Sequence, residues 1–180
     1  MKWLRWAFLL SALTMTACLD DPSSGKVPSA QEFGPGQVAE FCSMSLQEHS
    51  GPKAQIFVKG RALPYWFASV HDMFAFTLLP EEPRAIVAIY VNDMGHVHDW
   101  DHPEPGTWVE ARKAFFVIDS RRHSGMDEAE TVPFSDPAAA QVFIGQNGGR
   151  MVRFNEMPKD YILPNADSSP VDGDTAPRKS

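Results

Sequence analysis

The chain has 180 residues, of which 43% are hydrophobic and 22% are charged, and its formal net charge is −7 at pH 7. An acidic chain lacks the basic surface with which proteins bind nucleic acids or anionic lipids, so we expect no nucleic-acid partner. The length suits one compact domain with flexible ends.

Residues 1–17, MKWLRWAFLLSALTMTA, have the layout of a lipoprotein signal peptide. Lys2 and Arg5 form a positive start, and the apolar stretch 6–13 is too short to span a bilayer. The ending MTAC resembles a bacterial lipobox, which implies cleavage before Cys18 and its acylation. Cleavage would change the net charge to −9. The alternative is an ordinary signal cut near Ala17, which leaves Cys18 as a free thiol.

The lipobox decides how the two cysteines are interpreted. If Cys18 is acylated, Cys42 has no partner for an internal disulfide, and the protein is anchored to a membrane face without spanning it. If Cys18 is not acylated, a Cys18–Cys42 disulfide remains open. Composition divides the remaining chain into a Pro-, Gly- and Ser-rich flexible tether at 18–38, a folded domain at 39–163 and a disordered tail at 164–180.

The first half of the domain contains two predicted strands, at 54–58 and 86–91, with a helix between them. Ser69 and Asp72 form a capping-box pattern at the start of that helix. Val70, Met73, Phe74 and Thr77 share one face of it, and Pro80 and Pro83 end it.

The second half repeats this order, with strands at 114–118 and 151–154 around a second helix. Ser135 is the predicted cap, Pro137 suits the first turn, and Gly148 and Gly149 end the helix. Its predicted packed face carries Ala138, Gln141, Val142 and Gly145.

The two helices follow similar segments, WFAS with Phe67 and PFS with Phe134. Each half reads strand, turn, short second strand, helix, strand. The sequence therefore predicts an α+β fold of two related ββαβ-type halves, at about 39–103 and 104–163. The alternative is a chance likeness between two unrelated segments.

The segment EFCSMSLQEH, residues 40–49, places Cys42 two residues before Met44. In an extended segment both side chains would point to the same side. Thiolate and thioether are soft donors that together favour Cu(I) over Mg²⁺, Ca²⁺ or Mn²⁺, and zinc prefers a fuller set of nitrogen and sulfur ligands. The alternative is that both residues simply pack in the core.

Further ligands would come from other segments. Met126 lies in RRHSGMDEAE, a polar turn of the second half that could approach Cys42 if the halves are symmetric. His49 and His123 are imidazole candidates, although each alone is more often a plain surface histidine.

The segment NDMGHVHDWDHP is rich in histidine and aspartate, with histidines at 96, 98 and 102. These side chains could form a weak Cu(II) or Zn(II) site. A solvated acidic loop after a strand is the favoured interpretation.

The chain resembles the NosL family from Phe41 to about Leu163. The resemblance is carried by CSMSLQEHSGPKAQI, WFASVHDMFAF, AIYVNDM, WVEARKAFFVI, SGMDEAETVPF and GGRMVRFNEMPKDYI, in this order and spacing. The family's C-x-M motif falls on Cys42 and Met44, and the methionine of its "GM" turn falls on Met126.

This resemblance implies a periplasmic, membrane-anchored Cu(I) chaperone. Its implied partners are nitrous-oxide reductase, whose copper–sulfur centre would receive the copper, and a membrane ABC-type maturation complex. The implied fold is similar to that of the organomercurial lyases, in agreement with the two ββαβ-type halves.

Two other functions remain as alternatives, an organomercurial-lyase-like enzyme and a scaffold lipoprotein without metal. The lyase reaction needs two thiols and an acid, and only Cys42 is available unless Cys18 escapes acylation. The sequence has no Gly-x-Ser-x-Gly motif and no Cys–His pair at a known catalytic spacing, so we expect a binding protein and not an enzyme.

Overall fold

The computed structural model describes residues 27–80, 85–125 and 127–164. The predicted signal peptide 1–17, the predicted lipidation site Cys18, Met126 and residues 165–180 of the predicted tail lie outside these residues.

The first half contains a four-stranded antiparallel sheet. Its elements in chain order are β1 (Ala54–Val58), β2 (Tyr65–Phe67), α1 (Val70–Leu78), β3 (Ile86–Asn92) and β4 (Trp108–Glu110). The strand order in the sheet is β2-β1-β3-β4.

The second half contains a three-stranded antiparallel sheet. Its elements are β5 (Phe115–Ile118), β6 (Val132–Phe134), α2 (Pro137–Asn147), β7 (Arg150–Arg153) and α3 (Lys159–Ile162), with short 3₁₀ turns at 111–113 and 154–156. The strand order is β6-β5-β7.

The predicted repeat is visible in the topology and in the register. Each half runs strand, strand, helix, strand, with its first strand in the middle of the three. Phe67 pairs with Ala54 and Phe134 pairs with Phe115, so each phenylalanine lies opposite the first residue of its half's first strand. The predicted α+β class is confirmed. Strand β4 follows the predicted boundary between the halves and yet adds to the first sheet.

The cap of α1 is the predicted one, since the Ser69 hydroxyl accepts from the Asp72 backbone N–H at 3.0 Å. The packed face of α1 differs by one position, because Phe76 is buried where Thr77 was expected. The hydroxyl of Thr77 instead donates to the Phe74 carbonyl at 2.7 Å.

The prediction for α2 was wrong at its cap and on its packed face. Asp136 caps the helix by accepting from the Ala138 N–H at 2.9 Å, because the Ser135 hydroxyl donates across the halves to Asp93. The packed face carries Ala140 with Phe143 and Ile144, whereas Val142 on the predicted face is 63% exposed. The helix's own apolar residues are spread around its whole circumference, so the periodicity of the sequence could not show which face is packed.

The two halves share one hydrophobic core. Phe74 of α1 packs edge-to-face on Phe116 of β5, with ring centroids 5.1 Å apart, and both rings are buried. The cluster around them also includes buried residues from β1, β2, β3 and β7. The domain therefore folds as one body, and the loops at the junction of the halves are held in place by this packing.

The end of the predicted tether is docked on the first sheet. The Tyr90 hydroxyl donates to the Pro28 carbonyl at 2.7 Å, and Gln31 and Gln55 exchange two hydrogen bonds of 2.9 Å. Glu32 accepts from the indole N–H of Trp108 at 3.0 Å. The expectation of a flexible tether up to residue 38 is therefore wrong from Pro28 onwards, because polar groups of this segment bind partners on β1, β3 and β4. Within the described residues, no helix has the length and hydropathy needed to cross a bilayer.

Candidate metal site

Cys42 and Met44 lie on a tight turn before β1. The Ala39 N–H donates to the Met44 carbonyl at 2.9 Å, and the Ser43 N–H donates to the Ala39 carbonyl at 3.1 Å. Ser43 has a φ of 53°, the left-handed conformation. The prediction of an extended segment was wrong, and the two sulfur-bearing residues flank the tip of a closed turn.

The environments of the two sulfur side chains differ. Cys42 is half-buried and packs against a small cluster that includes Leu46 and Trp66. Met44 is 40% exposed. The thiol is therefore fixed by packing, while the thioether reaches solvent. Cys18, the alternative disulfide partner of Cys42, lies outside the described residues.

His49 is a buried histidine, not a surface one. Only 2% of it is exposed, and neither ring nitrogen has a hydrogen-bond partner among the described residues. Burial lowers the pKa of His49, and the positive charge of Lys53 lowers it further. The neutral imidazole, which is the form that binds metals, is therefore favoured. Its polar neighbours in the sequence, QEHSG, gave no signal of this burial.

A hairpin between β5 and β6, described at residues 122–125 and 127–130, covers His49. Its tip is closed by hydrogen bonds from Ser124 N–H to the Glu128 carbonyl, 2.8 Å, and from Asp127 N–H to the Ser124 carbonyl, 3.0 Å. A Cβ atom at Gly125 would lie 3.0 Å from Cε1 of His49. The hairpin thus contacts the segment that follows Cys42, and the role of Met126 itself stays a prediction.

His123 lies on the same hairpin and is exposed. Its Nδ1 is 2.8 Å from an Asp127 carboxylate oxygen. The carboxylate can accept a hydrogen bond from this nitrogen, which would orient the ring. The proposed ligand role of His123 stays a prediction.

Three further side chains that the sequence analysis missed form a compact donor group. His71 and Asp72 of α1 and Glu128 of the hairpin each place one ligand atom so that the three atoms lie within 4.8 Å of one another. Among the His, Cys, Asp and Glu side chains of the described residues, this is the one such group of three or more. It contains neither Cys42 nor His49, and it joins the two halves.

The chemistry of this group differs from that of Cys42 and Met44. Nδ1 of His71 is buried without a partner among the described residues, and Nε2 lies 3.4 Å from the Tyr161 carbonyl. Burial raises the pKa of Asp72, opposed by His71 and reinforced by Glu128. One imidazole nitrogen and two carboxylate oxygens suit a divalent cation such as Zn²⁺ and are poor ligands for Cu(I).

If this group binds Zn²⁺, Asp72→Asn is expected to weaken that binding by about tenfold or more, because it removes one anionic ligand and keeps the side chain's shape. Isothermal titration with Zn²⁺ measures this. Asp160→Asn, another carboxylate in the first turn of a helix, is the matched control and should leave binding unchanged. Equal affinities in the two variants would show that the group does not bind the ion.

Two charged residues missed by the sequence analysis are buried beside these groups. Oε1 of Glu130 accepts from the backbone N–H groups of Thr131, 2.8 Å, and His71, 3.3 Å. Burial raises the pKa of Glu130 to about 8. Lys53 donates to the Gly51 carbonyl, and burial lowers its pKa to about 8, against the opposing effect of Glu130 and Asp101.

The histidine-rich loop is an exposed loop rich in acidic residues, as the favoured interpretation of the sequence expected. The side chains at 96, 98 and 102 are exposed, and each Nδ1 is paired with a carboxylate, at 2.7 Å, 3.2 Å and 3.2 Å respectively. The alternative, a metal site, would need these imidazoles to converge. None of the three belongs to the donor group found among the described residues.

Comparison with known proteins places the whole domain in one family. The family model NosL matches residues 30–162. The chain belongs to the NosL family. The copper-binding lipoprotein NosL of Achromobacter cycloclastes is 38% identical over 177 residues, which cover 97% of this chain and 88% of that protein. The copper-binding lipoprotein NosL of Stutzerimonas stutzeri is 28% identical over 154 residues, covering 86% and 79%.

A solved NosL structure has the same fold. The crystal structure of the copper chaperone NosL from Shewanella denitrificans superposes with a TM-score of 0.68 at 32% sequence identity. The match covers 73% of this chain and 96% of that one.

Proposed function

We propose that this NosL-family protein is a Cu(I)-binding metallochaperone, a binding protein and not an enzyme. The observation that carries the proposal is the turn at its surface, where a half-buried thiol, Cys42, stands beside an exposed thioether, Met44. Thiolate and thioether are the donors that monovalent copper prefers. The names of the relatives, copper-binding lipoprotein and copper chaperone, support the same metal.

His49 is the best-supported additional ligand, and Met126 and His123 remain the other candidates. A buried imidazole without a hydrogen-bond partner among the described residues is costly unless something else satisfies it. A copper ion bound to a ring nitrogen would satisfy it, and the lowered pKa of His49 keeps that nitrogen unprotonated.

The surroundings of Cys42 suit transfer of the ion to another protein. Val38, Phe41 and Met44 are among the exposed large apolar residues, and all three lie on the turn that carries Cys42. An apolar rim around a metal ligand allows a partner to exclude water while its own ligands replace those of the donor. A thioether at the surface is the ligand that an incoming donor displaces first.

We propose further that the copper is delivered in the periplasm to the copper–sulfur centre of nitrous-oxide reductase, by way of a membrane ABC-type maturation complex. Family membership supports this delivery. The lipobox-like MTAC supports a lipid anchor on Cys18 that would keep the chaperone at the membrane.

Replacing Met44 with leucine is expected to weaken Cu(I) binding by about tenfold and leave the fold intact, because leucine keeps the side-chain volume and removes the sulfur. Anaerobic competition with a chromophoric Cu(I) chelator measures the affinity. Met157→Leu, which removes a thioether packed on the hydrophobic core shared by the two halves, is the matched control and should bind as the wild type does. The same affinity in Met44→Leu and Met157→Leu would remove Met44 from the site.

A further inference from the structure

The backbone conformation at position 125 does not require a glycine. Gly51 and Gly149 have φ values of +91° and +93°, where an L-residue is strained, but Gly125 lies outside this left-handed region. An alanine at position 125 would therefore meet no backbone strain. The reason for a glycine must be sought in what surrounds it.

The neighbour of Gly125 is the ring of His49. A Cβ atom at position 125 would lie 3.0 Å from Cε1 and 3.1 Å from both Nδ1 and Nε2 of His49. These distances are well inside the roughly 3.5–4.0 Å of a favourable carbon contact. A point in the ring plane beyond Cε1 would be clearly farther from the nitrogens than from the carbon. The near-equality places the Cβ above the ring face.

This arrangement covers a face of the imidazole and makes no use of its ring nitrogens. The hairpin backbone covers one face of the ring, whereas metal ions and hydrogen-bond partners approach the nitrogens in the ring plane. Both nitrogens of His49 are buried and have no partner among the described residues. The hairpin tip therefore fixes the ring's orientation without using its lone pairs.

We propose that Gly125 is a positioning residue of the copper site: by lacking a side chain it lets the hairpin pack on His49 and hold the imidazole in the orientation that binds Cu(I). The inference rests on the proposed function. Positioning groups of this kind set metal affinity through the ligand that they orient.

A double-mutant cycle with Gly125→Ala and His49→Ala tests the proposal. In the presence of His49, Gly125→Ala is expected to weaken Cu(I) binding by about 10–100-fold and to remove the imidazole scattering from the X-ray absorption spectrum of the bound copper. With alanine at position 49, Gly125→Ala should cause no further loss, since the ring it displaces is gone. Gly145→Ala is the control, because a Cβ there meets nothing within 4 Å.

The outcomes separate this inference from the proposed function. If wild-type protein binds Cu(I) and Gly125→Ala binds it equally well, or loses as much affinity without His49 as with it, the positioning role is overturned. If wild-type protein binds no Cu(I), both proposals fail. Should Gly125→Ala not fold, the double variant must recover the fold, and its failure to do so would also overturn the inference.

Discussion

Replacing Cys42 with alanine is expected to abolish tight Cu(I) binding. Cys42 would supply the one anionic sulfur donor of the candidate set, and a neutral thioether or imidazole does not bring the negative charge with which a thiolate binds Cu(I). Loss of an outer-shell partner costs roughly 10–100-fold in metal affinity, so loss of this ligand should cost more than that. Anaerobic chelator competition measures the change.

The control for this prediction uses the chain's other cysteine. Cys18→Ser changes the predicted lipidation site, which precedes the predicted domain at 39–163, and should leave Cu(I) affinity unchanged. Cys42→Ser keeps a side chain of similar size and exchanges sulfur for oxygen, so it should behave as Cys42→Ala does. Tight binding in both Cys42 variants would refute the role of the thiolate and, with it, the proposed site.

The elements that sequence predicted well are those whose signals are local. Strand β1 has its predicted bounds, and β3, β5 and β7 lie within a residue of theirs, because short β-branched and aromatic runs end at Gly, Pro or charged residues. The Ser69 cap is likewise a contact between residues three apart. The repeat was detectable because Phe67 and Phe134 occupy equivalent positions in the two sheets.

The features that sequence missed depend on contacts between distant segments. His49 is buried because the hairpin tip at Gly125 folds over it, and nothing near His49 in the chain indicates this. The donor group of His71, Asp72 and Glu128 likewise exists only where α1 meets the hairpin. Next to Cys42, Ser43 adopts the left-handed conformation, so the chain turns where the sequence predicted an extended segment.

Glu130→Gln is expected to change how stability depends on pH. In the folded protein burial raises the pKa of Glu130 to about 8, from its usual value of 4.5. Between these pH values the folded state holds a proton that the unfolded state releases, so stability falls as pH rises through this interval. Glu130 contributes a slope of at most about 1.4 kcal/mol per pH unit, and this contribution should disappear in Glu130→Gln.

Lys53 has the opposite effect on the pH dependence of stability, in the interval from about pH 8 to 10.5. Burial lowers its pKa to about 8, from 10.5, so from pH 8 upwards the unfolded state binds more protons and stability rises with pH. The wild-type protein should therefore have a stability minimum near pH 8, and Glu130→Gln should lose the fall that Glu130 causes below pH 8 and keep the rise above it. Urea denaturation from pH 5 to 10 measures the fall in stability below pH 8 and the rise above it.

The matched control is Glu48→Gln, which neutralises an exposed carboxylate and should leave the pH profile as it is in the wild type. Glutamine at position 130 retains the carbonyl oxygen that accepts from the Thr131 and His71 N–H groups, so the fold around α1 is preserved. A falling limb that persists below pH 8 in Glu130→Gln would mean that another group carries the titration. Loss of the falling limb in Glu130→Gln would show that Glu130 is a buried, protonated carboxyl group that accepts from the His71 N–H, where the two halves meet.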